Sequence, residues 1–277
     1  MSQAPLALVR QAAATLEEAG CDSPQLDAEL LVAHALGTDR AGLMRLPADP
    51  MPEAAYRAAL DLVARREARE PVSQILGRRW FRNIELQVTP AVLTPRPETE
   101  HLVEWGLRLP AESRVADIGT GSGAIALALA DERPDLDILA TDVDPDALAI
   151  AMANAGRLGL AVAFAQGDLL GAVEGELDAV ISNPPYIPDG DFDGLPVEVR
   201  DHEPRTALTS GPDGLDHVRR LVAQAVGRRV PRIAMEIGDG QALPTAHILE
   251  SAGYTEVEVI NDLAGIGRVV AGSLPKQ

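Results

Sequence analysis

Seven β-strand patterns lie between residue 113 and the end of the chain, and helical patterns separate most of them. The predicted strands are SRVADIG, DILATD, VAFAQGD, LDAVISN, RIAMEIG, YTEVEVIND and GRVVAGS. Strands that alternate with helices predict an α/β fold with a doubly wound, mostly parallel sheet. Only a short link joins the last two strands, so one of them is expected to run antiparallel to its neighbours.

The first 80 residues show helical periodicity interrupted by turn signals, and they contain no strand pattern. Apolar residues recur there at three- and four-residue steps, which indicates amphipathic helices. The stretch WFRNIELQVTPAVLTP then alternates and is rich in β-forming residues, so a hairpin is predicted. We predict a helical substrate-binding domain at 1–80, a β-hairpin linker at 81–95 and an α/β domain at 96–277.

The net charge of −18 is concentrated in the α/β part of the chain. Residues 1–82 carry ten Arg and eleven acidic residues, a net of −1. Residues 83–277 carry 14 basic and 31 acidic residues, a net of −17. Because an acidic surface repels phosphate backbones, we expect no direct nucleic-acid binding.

Other compositional features indicate a cytoplasmic protein without membrane contact. No apolar run approaches the ~20 residues that span a bilayer, and the N-terminus lacks the pattern of a signal peptide. The only cysteine is Cys21, which leaves no intrachain disulfide. No metal site is predicted, because the five histidines share no metal-ligand spacing. They are His34, His101, His202, His217 and His247.

A glycine-rich loop joins the first α/β strand to the helix that follows it. Its residues are Gly119, Thr120, Gly121, Ser122 and Gly123. Glycines allow a ligand to approach the backbone closely, and the amides of the following helix point at it. The loop therefore predicts a nucleotide-like cofactor. It also fits the G-x-G-x-x-A dinucleotide fingerprint, so by itself it leaves both NAD and S-adenosyl-L-methionine open.

Residues at the ends of three strands complete the predicted cofactor site. Asp142 ends the second strand, where its carboxylate can accept from both hydroxyls of a ribose. Asp117 precedes the glycines, where it would meet an amino or sulfonium cation and repel a pyrophosphate, and this favours S-adenosylmethionine. Asp168, followed by Leu169, either accepts from an adenine amino group or is an ordinary surface residue.

The motif Asn-Pro-Pro-Tyr leaves the strand LDAVISN at the carboxyl edge of the sheet, where open α/β sheets bind ligands. Asn183 offers a side-chain oxygen, and Pro184 and Pro185 form a stiff frame with free carbonyl acceptors. Two acceptors suit both protons of a planar NH₂ group, and Tyr186 supplies an aromatic face. Such a grip orients a conjugated nitrogen toward a methyl donor. The motif predicts methyl transfer to an amide or aromatic amine nitrogen.

The motifs and their order resemble those of the protein-(glutamine-N5) methyltransferases that modify peptide chain release factors, called HemK or PrmC. The similar blocks are PVSQILGRRWF, TPRPETE, DIGTGSGAIA, ATDVDPDAL, NPPYIP, EPRTALTSGPDGL, MEIGDGQ and DLAGIGR. The resemblance covers nearly the whole chain. Its most specific part is TPRPETE together with the helical N-terminal region.

The resemblance implies a seven-stranded Rossmann-like methyltransferase sheet with a small N-terminal all-helical domain that helps dock the release factor. It implies that the glycine loop, Asp142 and the residues after the third strand bind S-adenosylmethionine, with S-adenosylhomocysteine as product. It implies that residues 183–186 bind the glutamine amide of the Gly-Gly-Gln motif. We expect a monomer whose partner is the release factor.

Some positions depart from the family pattern or have no assigned role. Gln74 stands where many relatives carry tyrosine, and Leu169 where an aromatic residue is frequent beside the adenine. Arg96 and Glu98 either close over cofactor or substrate, or form an interdomain ion pair and a helix cap. Glu236, at the end of the strand RIAMEIG, is interpreted as structural.

Other functions stay open at this point. The Asn-Pro-Pro-Tyr motif is shared with adenine-N6 and cytosine-N4 amino-methyltransferases of nucleic acids, although the acidic surface and the absence of a basic stripe argue against this function. A related enzyme methylates a glutamine of a large-subunit ribosomal protein. A nucleotide-binding module or dehydrogenase would bind NAD and would not depend on Asn183.

Overall fold

The computed structural model of the protein describes residues 2–275, and the chain divides into two compact units. Unit 1 contains the residues up to Gly77 and, in addition, the segment Pro196–His202. Unit 2 contains Arg78–Leu195 and the residues from Glu203 onward. The hairpin therefore belongs to unit 2, and a short segment from the middle of the chain belongs to unit 1. No sequence pattern indicated this second feature.

Unit 1 is helical throughout its regular structure. Its helices are α1 (Pro5–Glu18), α2 (Pro24–Ala35), α3 (Arg40–Leu43), α4 (Glu53–Glu67), α5 (Val72–Leu76) and, in the added segment, α9 (Val197–Arg200). Pro5 and Pro24 stand at the first positions of their helices, where a missing N–H breaks no intrahelical bond. Leu8, Leu16 and Leu31 lie in the core that the longer helices share.

Ion pairs hold the segment Pro196–His202 against the helices of unit 1. Glu198 accepts from Arg66 Nη1 at 3.1 Å and from Arg69 Nε at 2.7 Å. Arg66 is nearly buried, and its Nε also donates to Asp27 at 2.8 Å. The guanidinium of Arg66 thus has a carboxylate on each side, as a buried charge requires.

Gln74, which departs from the family pattern, also contacts this segment. Its Nε2 donates to the carbonyl oxygen of His202 at 2.7 Å. The side chain is buried, and its Oε1 accepts no hydrogen bond from the residues that the structure describes. In this chain Gln74 thus acts as a structural contact of unit 1.

Unit 2 contains a two-stranded hairpin and a seven-stranded sheet. The hairpin strands are β1 (Arg78–Phe81) and β2 (Ile84–Gln87). The sheet strands are β3 (Arg114–Ile118), β4 (Asp137–Asp142), β5 (Ala163–Gln166), β6 (Ala179–Ser182), β7 (Arg232–Glu236), β8 (Thr255–Asn261) and β9 (Gly267–Ser273). Their order is β5-β4-β3-β6-β7-β9-β8.

The register confirms the predicted fold class. Strands β3 to β7 pair in parallel, whereas β9 runs antiparallel to both β7 and β8. The antiparallel strand near the end of the chain is the one that the short link predicts. Strand β3 has β4 on one side and β6 on the other, so the strand order reverses there. Open α/β sheets bind ligands at such a switch point.

Helices cover both faces of this sheet. They are α6 (Glu100–Gly106), α7 (Ala124–Glu132), α8 (Pro145–Leu158), α10 (Asp216–Gly227) and α11 (Ala242–Ser251). One core contains Val115 of β3 and Ile181 of β6, and the other contains Ala116 of β3 and Val180 of β6, so both strands are apolar on both faces. Among the helices of residues 2–275, none has both the length and the apolar character needed to cross a bilayer.

Candidate active site

A cavity of about 1060 Å³, including the part open to solvent, lies at the carboxyl ends of β3, β4 and β6. The predicted site residues that line it are Gly119, Thr120, Gly121, Ser122, Asp142, Asp168, Leu169, Asn183, Pro184 and Pro185. Three further predicted residues, Asp117, Gly123 and Tyr186, lie outside this lining.

The three glycines of the loop have positive φ angles but different surroundings. A Cβ atom on Gly119 or Gly121 would meet nothing within 4 Å, and both glycines line the cavity. A Cβ atom on Gly123 would lie 2.8 Å from Leu127 Cδ1. The first two glycines therefore open the backbone toward a ligand. Gly123 instead permits α7 to pack, which differs from its predicted cofactor contact.

Asp142 is held by the backbone of two loops. Its Oδ2 accepts from the amide of Gly121 at 2.9 Å, and its Oδ1 accepts from the amide of Asp144 at 3.0 Å. Burial raises the pKa of this carboxyl, while the two amides favour its charged form. The carboxylate thus has a fixed orientation at the edge of the cavity and can accept from the hydroxyls of a ligand.

Asp117 lies beneath the glycine loop and is fully buried. Its Oδ2 accepts from Thr120 Oγ1 at 2.6 Å and from the amide of Ala126 at 3.2 Å. Burial raises the pKa of the carboxyl to about 7. This position differs from the predicted one beside a cofactor cation, because the side chain points into the junction between strand and helix. Asp117 orders the loop from below.

Asp168 and Leu169 also line the cavity. The Asp168 carboxylate forms an ion pair with Arg220, and about half of its side chain is exposed. Leu169 is buried and has a φ of 52°, a conformation that costs a non-glycine residue roughly 1–2 kcal/mol. Because Asp168 already pairs with Arg220, the structure gives no direct support for its predicted contact with an adenine amino group.

Asn183 presents its side-chain oxygen as a free acceptor. Its Nδ2 donates to Thr99 Oγ1 at 3.1 Å. Its Oδ1 is buried and accepts no hydrogen bond from any residue within 2–275. A buried polar atom without a partner costs about 1–3 kcal/mol. Because Asn183, Pro184 and Pro185 all line the cavity, this oxygen is suited to an N–H donor of a ligand.

Tyr186 faces β7 instead of the cavity. Its hydroxyl donates to Glu236 Oε1 at 3.4 Å, and its carbonyl oxygen accepts from Gln241 Nε2 at 2.8 Å. A Cβ atom on Gly238 would lie 3.1 Å from the tyrosine ring, so the ring packs against the end of β7. Burial raises the pKa of the phenol. Because Tyr186 does not line the cavity, its position gives no support for the predicted role of an aromatic face over the substrate.

Arg96 lines the cavity and forms an ion pair with a residue that sequence reasoning did not single out. Its Nη2 donates to Glu203 Oε2 at 2.7 Å, and Glu203 Oε1 accepts from the amide of Thr94 at 3.3 Å. Burial raises the pKa of Glu203. All three residues belong to unit 2, so the alternative of an interdomain ion pair is wrong for Arg96. Glu98 lies in the short 3-10 turn Pro97–Thr99.

His217 is a second cavity residue without a predicted role. Its Nδ1 is hydrogen-bonded to Ser210 Oγ at 2.8 Å, and burial lowers the pKa of the imidazole. Its only signal in the sequence was its place two residues after the end of the block EPRTALTSGPDGL. Within residues 2–275, no group of three or more His, Cys, Asp or Glu side chains is placed to hold a metal ion.

Comparison with known proteins identifies the family. Residues 7–77 match the PrmC N-terminal domain, and residues 99–194 match the methyltransferase small domain. A release factor glutamine methyltransferase of Nitratidesulfovibrio vulgaris is 41% identical over 273 aligned residues, which cover 95% of this chain and 92% of that protein. One of Cereibacter sphaeroides is 43% identical, with 96% and 97% covered. The chain belongs to the release factor glutamine methyltransferase family.

This membership confirms the resemblance drawn from the sequence blocks, and it makes the chain a methyltransferase. A solved structure of the hMettl16 catalytic domain in complex with MAT2A 3'UTR hairpin 6 superposes with a TM-score of 0.59. The superposition covers 78% of this chain and 83% of that chain at 19% identity, so it shows a shared fold alone. The cavity at the switch point of this sheet is therefore the candidate active site.

Proposed function

We propose that this protein transfers a methyl group from S-adenosylmethionine to the side-chain amide nitrogen of the glutamine in the Gly-Gly-Gln motif of peptide chain release factors. The observation that carries the proposal is the buried side-chain oxygen of Asn183, a residue that lines the cavity; this oxygen has no hydrogen-bond donor among the described residues. The names of the relatives, which cover nearly the whole chain, supply the substrate class.

The residues of the cavity fit S-adenosylmethionine. Gly119 and Gly121 leave open space above the backbone, and the carboxylate of Asp142 is oriented by two amides to accept from a ribose diol. Ser122, Asp168 and Leu169 line the same cavity and would complete the site. When bound, the cofactor supplies a methyl group on a sulfonium, whose departure leaves a neutral thioether.

The chain itself then holds the substrate amide. Asn183 Oδ1 and the carbonyl of Pro184 accept the two N–H groups of the glutamine carboxamide. Because the lone pair of an amide nitrogen is conjugated, two acceptors on its protons raise the electron density at nitrogen and orient it. Pro184 and Pro185 have restricted φ angles, so the frame of acceptors is stiff. Such positioning means that no strong general base is needed: as the N–C bond forms and the C–S bond breaks, the nitrogen releases one proton to water.

We infer that the helical domain predicted at 1–80 helps dock the release factor, and that the protein acts as a monomer in the cytoplasm, where translation takes place. The net charge of −17 for residues 83–277 supports a protein substrate over a nucleic acid. This charge also weighs against the amino-methyltransferases that share the Asn-Pro-Pro-Tyr motif.

Labelled S-adenosylmethionine and a purified release factor test the proposal. We expect label in the release factor, and loss of that label when its Gly-Gly-Gln glutamine is replaced by alanine. Asn183→Ala should lower the rate of transfer at least 100-fold while the affinity for S-adenosylmethionine stays within about threefold. Asn83→Ala, which removes an exposed asparagine of the hairpin turn, is the matched control and should keep the wild-type rate.

Two results would reject this assignment. The first is transfer that does not depend on the glutamine. The second is transfer to DNA, RNA or a ribosomal protein with none to release factors. A wild-type rate in Asn183→Ala would separately reject the grip of the amide by Asn183.

A further inference from the structure

Polar side chains next to Asn183 form a hydrogen-bonded set, and one of them, Thr99, lines the same cavity. Asn183 Nδ2 donates to Thr99 Oγ1 at 3.1 Å. Tyr186 donates to Glu236 Oε1 at 3.4 Å, and the hydroxyls of Thr99 and Tyr186 both stabilise the charged form of Glu236. Thr99 is 4% exposed and Glu236 is 2% exposed, so water does not compete for these contacts.

Thr99 does not cap the helix that it precedes. It directly precedes α6, where a threonine side chain commonly accepts from a backbone amide of the first turn. Thr99 instead has helical angles, φ −65° and ψ −20°, and its side chain makes no capping hydrogen bond. Its oxygen accepts from Asn183, so the hydroxyl serves the active site in place of the helix.

The direction of these hydrogen bonds follows from the chemistry of each group. An ionised carboxylate only accepts, so Glu236 receives hydroxyl hydrogens from its neighbours. The Thr99 hydroxyl stabilises the charged form of Glu236, which requires its hydrogen to point toward that carboxylate, and its oxygen accepts from Asn183 Nδ2. The Asn183 amide must then place its nitrogen toward Thr99 and its oxygen toward the cavity.

We propose that Thr99 is a positioning residue that fixes the Asn183 amide with its oxygen toward the substrate nitrogen, and that Glu236 keeps the Thr99 hydroxyl in the accepting orientation. The proposal rests on the function proposed above, because only an NH₂ substrate needs an acceptor here. An asparagine amide has two orientations related by a half-turn. The wrong one would place an NH₂ group against the NH₂ group of the substrate.

Steady-state methyl transfer by Thr99→Val and Thr99→Ser tests the role of the hydroxyl. Valine keeps the shape of the side chain but can neither accept nor donate. We expect kcat to fall at least tenfold in Thr99→Val, with the S-adenosylmethionine affinity within about twofold of wild type. Thr99→Ser should retain at least half of the wild-type kcat. The matched control is Thr245→Val, which removes a buried hydroxyl without a partner in the described residues and should keep the wild-type rate.

The combination of Thr99→Val with Glu236→Gln tests whether Glu236 acts through Thr99. A glutamine at this position can donate to Thr99 and so reverse the hydrogen bonds. We expect at least a tenfold lower kcat in Glu236→Gln alone and at most a twofold further loss when it is added to Thr99→Val. This comparison uses the residual activities, so it stays informative if one variant is less stable.

The outcomes separate this inference from the proposed function. A wild-type kcat in Thr99→Val, or an equal loss in Thr99→Ser and Thr99→Val, overturns the positioning role. If the fold-loss of kcat in the double variant equals the product of the two single losses, Glu236 does not act through Thr99. If the wild-type protein transfers no methyl group to a release factor, the proposed function itself fails.

Discussion

At the scale of single residues, the orientation of Asn183 depends on the pKa of the Glu236 carboxyl group, which burial raises. The pKa of Glu236 is raised to about 7, mainly by burial and in part by the nearby charge of Glu98. The hydroxyls of Thr99 and Tyr186 and the charge of Arg268 act in the opposite direction. Glu236 therefore changes from an acceptor to a possible donor close to neutral pH, which alters the hydrogen bonds that orient Asn183.

The pH dependence of methyl transfer follows from this pKa. As the pH falls through about 7, Glu236 gains a proton and no longer restricts Thr99 to accepting from Asn183. We predict that kcat declines on the acid side with an apparent pKa near 7, and that this acid limb is absent in Glu236→Gln. Rates at saturating substrate between pH 5.5 and pH 8.5 measure it. A flat wild-type profile, or the same limb in both proteins, would contradict the prediction.

At the scale of elements, one asparagine of α8 joins the hairpin to the glycine loop. Asn154 is fully buried, and its Oδ1 accepts from the amide of Gln87 at 2.7 Å. Its Nδ2 donates to the carbonyl oxygens of Gln87 at 3.0 Å and Ser122 at 2.9 Å. The side chain thus satisfies three backbone groups of β2 and of the loop that lines the cavity.

Asn154→Ala should therefore reduce both stability and cofactor binding. Each buried backbone group that loses its partner costs about 1–3 kcal/mol, so we predict a loss of about 3 kcal/mol in the free energy of unfolding. Denaturant titration measures this loss, and a binding titration should show weaker S-adenosylmethionine affinity because Ser122 is released. The exposed Asn83→Ala variant should stay within about 0.5 kcal/mol of wild type. An Asn154→Ala protein as stable as that control would refute this role.

The sequence predicts the elements better than the side-chain contacts between them. Alternation of strands and helices is a local pattern, so the sheet, its antiparallel strand and the place of Asn183 at its edge follow from it. The partner of Asn183 is Thr99, 84 residues away, and no local pattern indicates that contact. For the same reason the inward position of Asp117 and the turn of Tyr186 toward β7 were not foreseen. Rotamers are set by tertiary packing.

At the scale of the whole molecule, unit 1 includes a segment that is distant in sequence from its first five helices. The loop after β6 carries the Asn-Pro-Pro-Tyr motif and continues to Pro196–His202, which belongs to unit 1. Glu198 pairs there with Arg66, whose side chain is only 7% exposed, and with Arg69. The short segment carries no periodic pattern, so its membership of unit 1 could not be predicted from the sequence.

Glu198→Gln should destabilise unit 1, because it leaves the charges of Arg66 and Arg69 incompletely compensated. Removing one partner of a buried pair costs about 3–5 kcal/mol, and part of the Glu198 side chain reaches solvent, so we predict about 3 kcal/mol. Hydrogen exchange in α1, α2 and α4 of the full chain should accelerate. Glu53→Gln breaks an exposed pair with Arg57 and should change stability by less than about 0.5 kcal/mol. Equal protection of α2 in the two variants would contradict the account.

The most direct test of the account is to locate the transferred methyl group by tandem mass spectrometry of a release factor incubated with the protein and S-adenosylmethionine. We predict a single methyl group on the side-chain nitrogen of the Gly-Gly-Gln glutamine, and an unmodified glutamine when Asn183→Ala replaces the wild-type protein. A methyl group on any other residue, or the same modification by Asn183→Ala, would contradict the central claim.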